Sequence, residues 1–264
     1  MVAPFIEGGR HPKTQARVRL FNASAFSPLS LFSNGEQGAW YDPSDLTTLY
    51  QDSAGTTPVT ADGDPVGLML DKSGNDNHAS QATSASRPVY RTDGVLHWLE
   101  SDGIDDRLIL PTSTIGGPSD SNSMFTASLT TSGFYLLGVK DDLGVMMLPE
   151  AEGFRASVYA GVIAVAGAKT GIFPRGTTVV GSSVVNLAAG TIDLHLSNGY
   201  TASTSFSPNN KTIPADLSLF DRGEQAISMY AGRFYGAIIT NSIVSASKRS
   251  STEQYLAQKS GVTL

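Results

Sequence analysis

The chain has 264 residues, of which 16% are charged and 27 are glycine, with a formal charge of −6 and no cysteine. That balance argues against a role that depends on neutralising phosphates, since nucleic-acid binding needs concentrated Lys and Arg. The missing cysteines exclude disulfides, thiolate zinc sites and cysteine nucleophiles together. Few charges, many glycines and abundant Ser and Thr suit short strands joined by tight turns, so all-β is the expected class, and the length allows one large β domain.

In chain order, residues 1 to about 34 carry scattered apolar side chains (Phe5, Val18, Leu20, Phe21, Phe26, Leu29, Leu31, Phe32) with no sustained period of 2 or 3.6. Such a segment has no core of its own and reads as an extended arm that needs another surface, with a basic stretch at Arg10, His11, Lys13, Arg17 and Arg19 suited to an acidic partner. The start MVAPFIEGGRHPK lacks a charged n-region followed by an apolar stretch, so it does not read as a signal peptide. The longest near-apolar run, GVIAVAGAKTGIF, is too short and glycine-broken to cross a bilayer, so no membrane insertion is expected.

From residue 35 onward the pattern is that of one domain. In AWYDPSDLTTLYQD, Asp42 or Ser44 offers a helix cap with Pro43 behind it, and Leu46 and Leu49 would share one face of a helix of about two turns. A loop rich in Pro, Gly, Asp and Thr then leads to an apolar strand at Val66 to Leu70. From about residue 87 short β-rich runs follow one another, bounded by Gly, Asn, Asp, Pro or Ser, which is the rhythm of a sandwich or jelly roll and not of a βαβ fold. In HLSNGYTA, Asn198-Gly199 predicts a two-residue hairpin turn. Only the end reads as α-helix, with Ser245 or Ser247 as cap and Gly261 as terminator, placed to protect an edge of the sandwich.

The stretches NGEQGAWYDPSDL, LDKSGNDNHASQATSASRPVYR, LESDGIDDRLIL, GRFYGAIIT and EQYLAQKSGV together resemble the concanavalin A-like lectin/glucanase superfamily in its laminin-G-like form, and in particular such domains in tailed-phage virion proteins. The resemblance implies an all-β, two-sheet antiparallel jelly-roll sandwich with an N-terminal arm (residues 1–34) for attachment, a domain at 35–264 and a short C-terminal helix. It also implies a virion structural protein of tail, baseplate or fibre, made in the host cytoplasm and held by other virion proteins through the arm. Such a protein would bind host-surface carbohydrate or its neighbours in the particle, and would form a homo-oligomer. The alternatives are a polysaccharide-degrading enzyme on the same fold and a purely structural decoration protein without ligand.

Three constellations carry the candidate chemistry. In DKSGNDNHAS, Asp71, Ser73, Asn75 and Asn77 alternate as the oxygen ligands of a Ca²⁺ loop do, yet the glycine is misplaced for an EF-hand and Ala82 cannot supply its closing carboxylate. The same side chains make a self-supporting turn by bonding nearby amides, and this is the expected reading; no cofactor is required. DGIDD brings Asp102, Asp105 and Asp106 close, either as a turn, a cation site or a catalytic pair. Trp40, Tyr41, His78 and Trp98 are the expected ligand contacts, as aromatic platforms with polar neighbours grip sugar rings. Further aromatic pairs, Phe134-Tyr135 and Phe234-Tyr235, offer the same chemistry. His11, His78, His97 and His195 have no metalloprotease spacing, there is no G-x-S-x-G elbow, and no alternating carboxylate strand appears, so catalysis is not expected. An enzyme would have to draw on Asp102, Asp105, Asp106, Glu150, Glu152 and Asp193.

Overall fold

The computed structural model describes residues 26–133, 136–139, 145–150, 153–159, 163–167, 174–207, 217–221 and 229–264. The expected arm is therefore described only from residue 26, and Phe134-Tyr135 and Glu152 lie outside the described residues. In chain order the strands are β1 (Gly38–Tyr41), β2 (Leu49–Tyr50), β3 (Leu68–Met69), β4 (Ala79–Ser80), β5 (Val89–Thr92), β6 (His97–Asp102), β7 (Leu108–Leu110), β8 (Asn122–Ser132) and β9 (Leu137–Val139). They continue with β10 (Val145–Glu150), β11 (Gly153–Tyr159), β12 (Ile163–Gly167), β13 (Thr178–Asn186), β14 (Thr191–Leu196), β15 (Thr201–Ser205), β16 (Leu217–Leu219) and β17 (Ala231–Thr240), and α1 (Ala246–Ser260) follows.

These strands form two antiparallel sheets, the jelly-roll sandwich that the sequence predicts. The first runs β15-β14-β13-β8-β17-β6-β5 and the second β12-β11-β10-β9-β16-β7-β4-β3-β2. Along one edge of β17 lie two partners in tandem: its first half pairs with β6 and its second half with β1, while β8 occupies the other edge. A strand so enclosed must be apolar on both faces, and FYGAII supplies that. Phe234, Ala237 and Ile239 face the second sheet, and Tyr235 and Ile238 face away from it. Register shifts between Ala231 and Gly232 and between Phe234 and Gly236 break the ladder. Gly232, at φ +146°, passes so close to the Leu129 carbonyl that a Cβ there would overlap it.

Between the sheets lies the main core, including Tyr41, Leu49, Met69, Leu99, Leu108, Leu217, Phe220 and Phe234. A second apolar cluster lies on the outer face of the first sheet, where α1 sets Leu256 and Ala257 against Phe125, Ala127, Val180, Tyr235 and Ile238. The helix covers a face, not the edge expected of it. Ser245 caps it by accepting the Lys248 N–H at 3.3 Å, and Gly261 ends it at φ +70°. Leu31 joins this cluster with Phe26 and Phe32 beside it, and Lys248 Nζ donates to the Ser30 carbonyl at 2.8 Å. Residues 26–32 thus pack against the folded body.

Two local expectations change. The two-turn helix after Asp42 is a single 3₁₀ turn, Leu46–Thr48, capped by Asp45, because Leu49 is drawn into pairing with Met69. The hairpin at Asn198-Gly199 has three loop residues: Leu196 N–H bonds the Tyr200 carbonyl at 2.9 Å, and Gly199 alone of the loop takes positive φ.

Candidate functional site

The loop at 71–80 is a latch on β1. Asp71 accepts the Trp40 and Ser73 N–H groups at 2.8 Å each on Oδ1, and the Ser73 hydroxyl at 2.7 Å and Asn77 N–H at 3.1 Å on Oδ2. Asn77 Nδ2 donates to the Gly38 carbonyl at 2.7 Å, and Asn75 Nδ2 donates to the Glu36 carbonyl at 3.1 Å. Asn77 Oδ1 accepts the Ser113 hydroxyl at 2.6 Å, and the His78 ring accepts the Asp71 N–H at 3.1 Å. The Asp71 carboxylate and the Asn77 side-chain oxygen, which a cation would need, are held by donors of the chain itself. Gly74 and Asp76 supply the left-handed backbone that closes the turn.

The aromatic residues expected to grip a sugar are mostly packing residues. Tyr41 is fully buried and its hydroxyl donates to the Asn77 carbonyl; burial first, then the Asp71 charge, push this phenol well above its ordinary value and keep it a donor. Trp40 lies edge-on against Tyr255 of α1, centroids 5.9 Å apart, with Lys72 Nζ 4.5 Å from its ring centre. Neither presents a free face. Trp98 is different: it is buried beside Tyr235, but it carries the Arg233 guanidinium 4.5 Å from its ring centre.

That pair marks the outer-face region beside α1, where β5, β6, β17 and β8 form the floor of a groove of about 580 Å³. Period-two alternation places Arg91, Glu100, Asp102 and Arg233 on the same side of their strands as Trp98. Arg91 Nε donates to Glu100 Oε2 at 2.9 Å, and Arg87 donates to the Gln81 and Ala82 carbonyls at 3.1 and 2.9 Å. The volume lies within the range of about 300–1,000 Å³ usual for small-ligand sites.

At one end of the groove sits the DGIDD turn. Asp102, Asp105 and Asp106 hold carboxylate oxygens within 4.8 Å of one another. Each also ties the turn together: Asp102 Oδ1 accepts Ile104 N–H at 2.8 Å, Asp106 Oδ2 accepts Asp102 N–H at 3.0 Å, and Asp105 Oδ2 accepts the Ser86 hydroxyl at 2.8 Å. Burial, followed by the charges of Asp102 and Asp105, pushes the Asp106 carboxyl up to about 7 against the pull of the Asp102 amide. Of the other carboxylates, Asp193 lies on β14 beyond β8, and Glu150 lies on β10 of the other sheet.

Sequence reasoning missed Arg233, Arg91 and Glu100. The available signal was alternation: in VYRT and HWLESD the charged residues fall on the side of the strand opposite Tyr90 and Leu99, which are core.

No family model matches the sequence, and no curated protein does. Among solved structures, the chain is similar to an arabinofuranosidase complexed with arabinofuranosyl-α-1,2-xylobiose, at 12% identity and TM-score 0.59, over 89% of this chain and 65% of that one. It is also similar to the binding domain of Paraclostridial Mosquitocidal Protein 1, at 11% identity and TM-score 0.55, over 71% of this chain and 49% of the other. A third likeness is to the binding domain of botulinum neurotoxin DC in complex with SialylT, at 8% identity and TM-score 0.54, over 71% and 48%. This chain thus spans about half to two thirds of the length of these structures. At such identities the likeness is one of fold, a jelly-roll sandwich of two antiparallel sheets. Among the described residues no helix is long and apolar enough to cross a membrane.

Proposed function

We propose that the chain is a glycan-binding module that holds its ligand without cleaving it, carried on a phage particle as a tail, baseplate or fibre component. The observation that carries the binding reading is the outer-face groove lined by Arg233, itself seated on Trp98, with hydrogen-bonding groups of both kinds along its floor. The fold is shared with a toxin binding domain solved with SialylT, which supports the binding reading, and with an arabinofuranosidase solved with arabinofuranosyl xylobiose, which fits binding and cleavage alike. The phage setting rests on the resemblance of residues 34–46, 70–91 and 99–110, and attachment there falls to the N-terminal segment. A glycan array is the test. Retention of a chemically related subset of glycans is expected, and an array that retains nothing removes the binding reading. Purified virions that lack the polypeptide remove the virion reading.

One observation favours a second reading, a polysaccharide-degrading enzyme. Asp106 holds its proton to about pH 7 beside Asp102 at the groove's end, as an acid and its carboxylate partner do in glycosidases. Incubation with host polysaccharide separates the two: new reducing ends identify the enzyme, and an unchanged polymer identifies the binder.

A further inference from the structure

Arg233 is a charge in a groove without an acceptor among the described residues. Its cross-strand neighbour is Glu100, but that carboxylate turns to Arg91 at 2.9 Å and makes no bond to Arg233, and Arg91 also reaches Asp62 at 3.4 Å. Elsewhere the pattern is the opposite: Arg87 donates to two carbonyls, Arg107 pairs with Asp221 at 3.2 Å, and Arg249 meets His195 and Glu253. Arg233 has instead the face of Trp98, and its charge is felt by Asp93 at the β5–β6 turn, whose own carboxylate accepts the Val95 and Leu96 N–H groups. A guanidinium seated on an aromatic ring keeps its planar fork, the geometry that matches a carboxylate with two parallel hydrogen bonds.

A neutral ligand filling this groove would cover that charge and strand it, at a cost that only a paired anion offsets. The other end sets a limit on how many anions the ligand carries. Two residues along β6 from Glu100, roughly 7 Å at the rise of a strand, Asp102 begins the acidic turn. Carboxylates there repel a second anion and accept hydrogen bonds from sugar hydroxyls. A densely charged polymer such as a sulfated glycan fits the Arg233 end and is rejected by the other.

We infer, resting on the glycan-binding reading, that the groove selects an oligosaccharide with a single carboxylated sugar, sialic or uronic acid, its carboxylate on Arg233 and the hydroxyls of a neutral neighbouring sugar toward Asp102.

The test uses the full chain on an array that holds neutral, carboxylated and sulfated glycans, with the carboxylated members also present as methyl esters. The expected result is retention of singly carboxylated glycans, with binding lowered about tenfold or more by esterification, the loss of one charge-assisted pair. Retention of neutral or polysulfated glycans, or indifference to esterification, overturns this inference and leaves the binding reading intact. An array that retains nothing overturns both. On the tightest array ligand, Arg233→Gln is expected to lose about tenfold or more and Arg233→Lys less, since it keeps the charge without the fork. Thermal unfolding of each variant controls for the lost contact with Trp98. Arg233→Gln that is folded and binds as tightly as the parent also overturns the inference, and if that variant does not fold, undiminished binding by folded Arg233→Lys does so.

Discussion

The Tyr255 hydroxyl donates to Asp42 Oδ2 at 2.8 Å, which fixes the C-terminal helix to the loop that leaves β1. Asp42 is buried, and the same oxygen lies 3.1 Å from Lys259 Nζ and 3.4 Å from Lys72 Nζ, while its other oxygen accepts the Ser44 hydroxyl at 2.6 Å. Burial raises this carboxyl, but Ser44, Lys259, Tyr255 and Lys72 together outweigh it and hold the group below its ordinary value of 3.8. A depressed carboxylate adds stability above its unfolded value, and that stability disappears as pH falls through the folded one. Asp42→Asn should therefore cost about 3 kcal/mol at pH 7, since it takes the buried carboxylate from Lys259, Lys72 and Tyr255, and progressively less as pH falls below 3.8. Urea denaturation from pH 7 downward measures it, and a cost that does not decline at all below 3.8 would show that charge is not what holds the helix.

Asp106 predicts the reverse dependence. Its folded value of about 7 lies above 3.8, so between those values the folded state holds a proton that the unfolded chain has released. The associated stability is fully present below about pH 3.8 and is lost as pH rises through about 7. Asp106→Asn keeps an oxygen for the Asp102 amide and never charges. It should be more stable than the parent at pH 8 by about 1–2 kcal/mol and no more stable at pH 4. Denaturation curves at the two values decide, and a variant no more stable at pH 8 places the titration elsewhere.

The latch at 71–80 predicts a large local cost and no metal dependence. Asp71→Ala leaves the Trp40, Ser73 and Asn77 amides without their acceptor, all three in buried residues. The expected loss is about 3–5 kcal/mol, and Asp71→Asn, which retains one acceptor oxygen, should lose less. Chelator and added Ca²⁺ should each leave the melting temperature of the parent unchanged, because the carboxylate oxygens already serve protein donors. A melting temperature that rises with Ca²⁺ in the parent and not in Asp71→Asn would return the loop to the metal reading.

The parts of this molecule legible in its sequence are those decided within a few residues. Strand rhythm, the Ser245 cap, the Gly261 stop and the DKSGND turn all depend on local backbone chemistry. Leu49 misled because a tertiary pairing with Met69 outcompeted a weak helical face. Trp40 and Tyr41 look like platforms in sequence, but α1 and the latch cover them from distant segments. Arg233 was hidden for the same reason: its meaning comes from Trp98 on a neighbouring strand and from Glu100 being already paired with Arg91.

The N-terminal segment yields the last prediction. Leu31 is 1% exposed within the cluster beneath α1, Pro28 is buried, and Ser27 caps the short 3₁₀ turn between them by accepting the Leu29 N–H. Deleting residues 1–25 removes none of these contacts, so the shortened chain should still fold cooperatively. Deleting residues 1–34 removes Leu31, Phe26 and Phe32 from the outer-face cluster and the Ser30 carbonyl from Lys248, and should cost about 3 kcal/mol or more. If attachment to the particle resides in the arm, the shorter deletion should yield a folded protein that binds its ligand but no longer incorporates into virions. Incorporation of that protein at the parental level would move attachment from the arm to the jelly roll itself.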